Sequence, residues 1–324
     1  MAAPSRQSRF AVGVSACLLG EPVRYDGGHR RSRWLTDVLD AYVRWVSVCP
    51  ELEIDLGVPR PTLRLEQGES GVRLIEIETE RDLTRRMLEY ARARVDELTG
   101  LGLRGYVLKQ DSPSCGRERV KLVDANGVPA RTGVGLFAAV LAAALPNLPI
   151  EEEGRLEDPR LRDNFVARLF AYDRWLSLRA AGAAPGGLVG FHTAHKLQLL
   201  AHSPRGTQQL GRLVARAGAT SAADWPALLD EYEAGFMAAL ARVASPGRHV
   251  STLQQLAGFL EDRLTPVETR ELNVLIEEYR AGTLPRIAAL TLLGHHLRDF
   301  EHPWAEAQSY LAPYPCELGL RNAI

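Results

Sequence analysis

The chain is poor in cysteine, with four among 324 residues. It also lacks any apolar run of membrane-spanning length. So few cysteines in so long a chain make no disulfide framework, and their spacing suits a reducing compartment. Charge of one sign is missing too: 39 Lys and Arg stand against 40 Asp and Glu, a formal net charge of −1. No global field draws such a chain to nucleic acid, so any RNA contact needs a local basic patch. The two halves differ little, the first slightly positive and the second slightly negative. Internal repeats and low-complexity tracts are absent. A hydrophobic content of 46% excludes a disordered or collagen-like chain. The length allows about two domains, each with its own core.

Export is also excluded on this reading. Val14-Ser15-Ala16-Cys17 imitates a lipoprotein cleavage box behind Arg6 and Arg9. The apolar run before it, residues 10–16, sits at the lower limit for a signal core. Cleavage there would discard a good strand. The expected protein is soluble and cytoplasmic, with no membrane partner.

Three of the four cysteines close strand-like runs: AVGVSAC ends at Cys17, WVSVC at Cys49, and VLKQDSPSC at Cys115. They lie too far apart for a local Cys-x-x-Cys knuckle and can meet only through the fold. An open parallel sheet would gather them, because its ligands bind outside the carboxyl ends of the strands. Three thiolates meeting there make a metal or iron–sulfur site with one position unfilled. A free cysteine is often just a small buried residue. That explanation fits one cysteine better than three that all leave strands into Gly, Pro or Ser turns.

Up to about residue 149 the pattern alternates strand and helix. Residues 10–18, 45–48, 72–77 and 105–108 read as strands, residues 34–44, 80–98 and 136–145 as helices, and residues 121–130 as a hairpin around Asp-Ala-Asn-Gly. The expected fold class is α/β, a Rossmann-like layered domain with a largely parallel sheet. From residue 161 on, β-branched runs nearly vanish. Helical stretches follow at 161–181, 190–202, 207–217, 222–244, 251–259, 266–281 and 284–300, parted by Pro/Gly breaks. We therefore expect domains over residues 1–150 and 160–324, the second all-α, joined by an acidic linker over 149–159.

The surroundings of the cysteines supply the chemistry. Glu51 stands two residues beyond Cys49. Cys115 lies in Asp-Ser-Pro-Ser-Cys-Gly, a polar turn with two hydroxyls, Ser112 and Ser114. After Cys17 come Arg24, Asp26 in a glycine turn, and the run Arg30, Arg31 and Arg33, candidates for substrate and phosphate contact. An acid in a Gly turn more often caps backbone, and a cationic run is ordinarily a solvated face. Lys109 ends a strand near Cys115 and joins the substrate-contact candidates. In the second half His192, His195 and His202 share one helix face; they point to helix packing or phosphate contact before metal, since no acid joins them. Tyr172, Arg174 and Trp175 offer stacking surfaces, although aromatics so spaced are usually core. Cys316 sits in a polar tail and is expected to be uninvolved.

The motifs SACLLG…RYDGG, CPE and LKQDSPSCG closely resemble the TudS-type thiouracil desulfidases over roughly the first 150 residues. The resemblance implies a 4Fe–4S cluster held by Cys17, Cys49 and Cys115, with one iron lacking a protein ligand. It also implies Glu51 as catalytic acid/base and Ser112 as a catalytic or substrate-positioning hydroxyl. The second half, through FAYDRWLSL, LVGFHTAHKLQLLAHSP and PYPCELGLRN, resembles the helical domain fused to RudS-type members, which remove sulfur from 4-thiouridine in tRNA. Thiolated tRNA is then the implied partner and substrate. Two rivals stand beside it: the same chemistry on free thiouracil or thionucleosides, and a non-enzymatic tri-cysteine zinc protein that binds RNA. Glu51 beside Cys49 argues against a purely structural metal. Oligomeric state is not legible.

Overall fold

Short apolar runs that end in turns, alternating with amphipathic helices, build the first of two compact units. The computed structural model describes residues 9–322, and the chain divides between Asp158 and Pro159. The first unit runs through β1 (Phe10–Ser15), β2 (Val43–Val48), the one-turn helix α1 (Pro50–Glu53), β3 (Leu63–Gly68) and β4 (Gly71–Glu76). It continues through α2 (Thr84–Gly100), β5 (Tyr106–Leu108), β6 (Val120–Val123), β7 (Pro129–Gly133), α3 (Leu136–Ala144) and β8 (Ile150–Glu152).

Strands β1, β2, β5 and β8 form an all-parallel sheet in the order β2-β1-β5-β8. From β1 the chain steps outward to β2, then crosses to β5 and on to β8. Strand order therefore reverses between β1 and β5, and ligands bind at the carboxyl end of such a switch point. Val12, Val14, Val107 and Leu108 are wholly buried, as expected for strands covered on both faces. Gly13 lets β1 and β5 approach: a Cβ there would lie 2.1 Å from the Tyr106 ring. Helix α2 buries Met87, Ala91, Val95 and Leu98, one face at helical spacing. A second, mixed sheet, β4-β3-β6-β7, comes from two hairpins. In the β6–β7 turn Asp124 Oδ1 accepts from the Asn126 and Val128 N–H groups at 2.9 and 2.8 Å.

Two sequence expectations fail. Residues 34–44 do not form a regular helix: a π turn (Trp34–Val38) passes into a 3-10 turn (Leu39–Ala41), and β2 begins at Val43. The run Val43–Val48 pairs in full register with β1, and that pairing overrides weak helical periodicity. The acidic stretch 149–159 is not a linker. Ile150–Glu152 is strand β8, buried at all three positions. Its carboxylates are acceptors: Glu151 Oε1 takes Arg155 Nε at 2.7 Å, and Glu152 Oε1 takes the Arg117 N–H at 2.7 Å.

The second unit is helical: α4 (Pro159–Ala180), α5 (Pro185–His202), α6 (Pro204–Arg216), α7 (Trp225–Leu240), α8 (Pro246–Gly258), α9 (Pro266–Ala281), α10 (Arg286–Asp299) and α11 (Pro303–Glu306). Ser-Pro and Thr-Pro pairs start three of them. Ser203 and Ser245 accept N–H groups of the first turn, and Thr265 forms a capping box with Glu268. Among the described residues no helix is long and apolar enough to cross a membrane.

Candidate functional site

Each of the three cysteines leaves a strand of the parallel sheet at its carboxyl end. Cys17 lies in the 3-10 turn directly after β1, and Cys49 is the residue between β2 and α1. Because Ser15 pairs with Val48, those two turns start side by side. Cys115 lies in the turn that follows β5, across the switch point. All three line one open cavity of about 1050 Å³ together with Glu51 and Ser112. The thiols are unbridged. Burial pushes Cys17 up to about 11, and raises Cys49 and, most strongly, Cys115. Three soft sulfurs, desolvated and facing one cavity, are a donor set suited to an iron–sulfur cluster, whose iron would supply the positive charge the thiolates lack. Among the described residues no three His, Cys, Asp or Glu side chains close up on a single ion.

Backbone packing fixes the Cys115 turn. Ser112 Oγ accepts the N–H groups of Ser114 and Cys115 at 3.2 and 3.0 Å. The Ser114 carbonyl in turn accepts from Phe137 and Ala138 in the first turn of α3. Gly135 makes that junction possible: a Cβ there would stand 2.5 Å from Ser114 O and 2.9 Å from Cys115 N.

Glu51 is held from two sides. Arg60 Nε and Nη2 both reach Oε2, at 3.0 and 2.7 Å, while its Nη1 donates to the Val23 and Gly57 carbonyls. Ser114 Oγ, fully buried, donates to Oε1 at 2.9 Å. Ser112 Oγ lies 3.5 Å from the same Oε1. Since Ser112 already accepts two N–H groups, its own proton is the one that reaches Oε1, in a long contact it can exchange for one to a bound molecule. Arg60 and Ser114 were not singled out from sequence. Ser114 was visible as a second hydroxyl in the cysteine turn; nothing local marks Arg60, which is brought in by tertiary packing.

The cationic candidates gather at the same cavity: Arg24, Arg30, Arg31, Arg33 and Lys109 all line it. The loop that carries them is tied to the first cysteine turn, with the Arg30 N–H on Cys17 O at 2.9 Å and the Ser32 N–H on Leu18 O at 2.8 Å. Arg31 pairs with Asp37 at 2.6 Å, and Lys109 Nζ pairs with Glu153. Arg24 lies over the Tyr25 ring, 5.3 Å from its centroid. Asp26 does not line the cavity. Its Oδ1 accepts the Gly28 N–H at 3.0 Å, a backbone-capping turn that holds its carboxyl below the usual range.

The second-unit candidates are elsewhere and mostly packed. His192 Nδ1 meets Tyr232 OH at 3.1 Å, His195 stacks on Phe191, and His202 Nδ1 meets Arg242 O at 2.6 Å. All three are buried and make helix-packing contacts. Tyr172 OH and Trp175 Nε1 both donate to Glu233, and Arg174 Nη2 donates to Pro313 O, so this trio is also internal. Cys316 is exposed in a short 3-10 turn.

Comparison with known proteins assigns both units. Residues 12–153 match the family model of 2-thiouracil desulfurase, and residues 196–315 that of a domain of unknown function, DUF1722. A solved [4Fe-4S]-dependent thiouracil desulfidase, TudS, is 34% identical; the match covers 46% of this chain and 95% of that one, with a TM-score of 0.39. Uncharacterized protein YbgA of Escherichia coli K12 is 28% identical over 167 residues, 51% of this chain and 96% of that protein. Uncharacterized protein YbbK of Bacillus subtilis 168 is 29% identical over 136 residues, 40% of this chain and 89% of that protein.

Proposed function

We propose that this chain, which belongs to the 2-thiouracil desulfurase family through its first unit, is an iron–sulfur-dependent desulfidase that converts 4-thiouridine in tRNA to uridine. The observation that carries the reading is the convergence of Cys17, Cys49 and Cys115 on the cavity that Glu51 and Ser112 face. The cluster would be held by those three thiolates, and its remaining iron would supply a soft Lewis acid for a thiocarbonyl sulfur.

The side chains of the chain do the rest. Arg60 occupies Oε2 of Glu51, whereas Oε1 has only neutral hydroxyl partners, so Oε1 is the atom that takes a proton from water attacking the ring carbon. The same carboxyl then returns the proton to the base as the C–S bond breaks. Ser112 donates a hydrogen bond to the base or the attacking water. Ser114 holds Oε1 from behind and positions it. The sum is C=S plus water giving C=O plus hydrosulfide and a proton, with no net electron transfer. Arg24, Arg30 and Arg33 at the mouth suit the phosphates of a nucleotide chain.

The test is nucleoside analysis of bulk tRNA after anaerobic incubation with cluster-reconstituted protein. Loss of 4-thiouridine with matching gain of uridine and sulfide is expected. Turnover of free thiouracil or thiouridine with tRNA left untouched would move the substrate to the free base. Zinc in place of iron, with no turnover of either, would overturn the enzymatic reading.

A further inference from the structure

The helical unit carries a charge asymmetry that its overall composition hides. Between Asp173 and Asp224 the chain runs for 50 residues, 174–223, without a single Asp or Glu. With 40 acids in 324 residues, a stretch of that length would ordinarily hold about six. The same stretch contains Arg174, Arg179, Lys196, Arg205, Arg212 and Arg216. It covers the end of α4, all of α5 and all of α6. Arg174 and Arg179 are used internally, on the Pro313 carbonyl and on Asp230. The other four are exposed, and none of them forms an ion pair among the described residues.

Three of those four make a stripe on α6. Arg212 and Arg216 follow Arg205 at spacings that, at about 100° per residue, put all three within about 40° of arc. They extend over about 16 Å of the helix. Gln209 falls in the same arc and is exposed as well. Thr207 and Leu210, the buried side chains of α6, lie on the opposite side. Arg216, in the last turn, suits the helix dipole, but Arg205, in the first turn, stands against it. Helix α5 supplies no acid to offset the stripe. Of the acids on α7, which also packs against α6, Asp230 is paired with Arg179 and Glu233 accepts from Tyr172 and Trp175, which leaves Glu231. Elsewhere in the unit exposed arginines stand among acids: Arg263 and Arg270 share their segment with Glu261, Asp262, Glu268 and Glu271.

We propose that this face of α6 is a docking surface for the phosphodiester backbone of RNA. A phosphate chain asks for cations and polar donors spread along a line, and for no apolar patch. The stripe offers those groups alone, since α6 exposes no large apolar side chain. A helix lying on a membrane turns its apolar face outward. The apolar side of α6 is turned inward. A protein partner would call for an apolar core within the contact. The choice of RNA over another phosphate polymer rests on the thiolated-tRNA reading above, whereas the surface itself does not involve the cysteine site.

Binding of the full chain to unmodified bulk tRNA, followed by fluorescence anisotropy at several salt concentrations, tests it without a cluster. Combining Arg205→Gln, Arg212→Gln and Arg216→Gln should weaken binding roughly tenfold or more and flatten the log affinity against log salt slope by about two to three. All three side chains are exposed, so the unfolding temperature of this triple should match that of the unmodified chain. Combining Arg263→Gln, Arg270→Gln and Arg298→Gln removes the same charge elsewhere in the unit and should weaken binding by less than about threefold. Equal losses in the two triples would reduce the effect to net charge and overturn the proposal. It would also be overturned if the α6 triple bound tRNA as tightly as the unmodified chain. Failure of the unmodified chain to bind tRNA would overturn it too, and binding of anionic phospholipid vesicles instead would give the face to a membrane. The two readings fail separately. tRNA bound through the stripe but never desulfurated would sink the desulfidase reading alone. Thiolated tRNA turned over equally, at subsaturating concentration, by the unmodified chain and the α6 triple would sink the stripe alone.

Discussion

At Glu51 the two carboxylate oxygens have different partners. Oε2 is fixed by Arg60, whereas Oε1 has only the hydroxyls of Ser114 and Ser112 as partners. Glu51→Gln keeps the shape and removes the proton acceptor. It should lower turnover by roughly two to four orders of magnitude, the usual worth of a positioned acid/base, with iron content unchanged. Loss of iron in that variant would reassign Glu51 to cluster holding. The two serines separate in the same assay. Ser114→Ala frees Oε1 to shift, and should lower kcat about tenfold at normal iron. Ser112→Ala strands two backbone N–H groups, and should also cost about 1–2 kcal/mol of stability by thermal or denaturant unfolding. The cysteine, carboxylate and Ser112 positions were legible because each sits within a short motif at a strand end. Arg60 was not, because its link to Glu51 exists only after the loop that carries it folds back.

At the scale of elements, the carboxyl ends of β1, β2 and β5 were readable as strand exits, since buried parallel strands appear as apolar runs. Strand β8 was not. Its Ile-Glu-Glu reads as an acidic connector, and only Arg155 and the Arg117 N–H make a buried strand of it. The irregular turns over 34–41 mimic helical periodicity without sustaining it. A consequence follows for the junction of the Cys115 turn and α3. Gly135→Ala places a methyl group against Ser114 O, and backbone cannot swing aside as a side chain can. It should destabilise the first unit by about 1–3 kcal/mol and lower iron retention, measured by unfolding and by iron per chain. Normal stability and iron loading would mean that the turn and helix can part without consequence.

Across the whole molecule, sensitivity to mild acid belongs to the buried histidines of the second unit. In the second unit burial lowers His192, His202 and His249 and takes His195 down to about 3. Unfolded, each titrates near 6.5. Below that pH the unfolded state binds more protons than the folded one, so stability is full above about pH 6.5 and is lost as pH falls toward the folded values. The unfolding temperature of the helical unit should drop steadily from pH 7 to pH 5, and a flat profile would contradict this. The division at Asp158 also fixes where a shortened chain should end: stopping at residue 149 removes β8, whereas stopping at Asp158 keeps the first unit whole. The account's central claim is that three strand-end thiolates and Glu51 form one desulfidase site. Its most direct test is sulfide release from a thiolated uracil base by anaerobically reconstituted protein, beside Cys49→Ala and Cys316→Ala. The expected result is an iron-loaded, active wild type and Cys316→Ala, and a Cys49→Ala protein with neither chromophore nor activity; an iron-loaded Cys49→Ala that still releases sulfide would contradict the account.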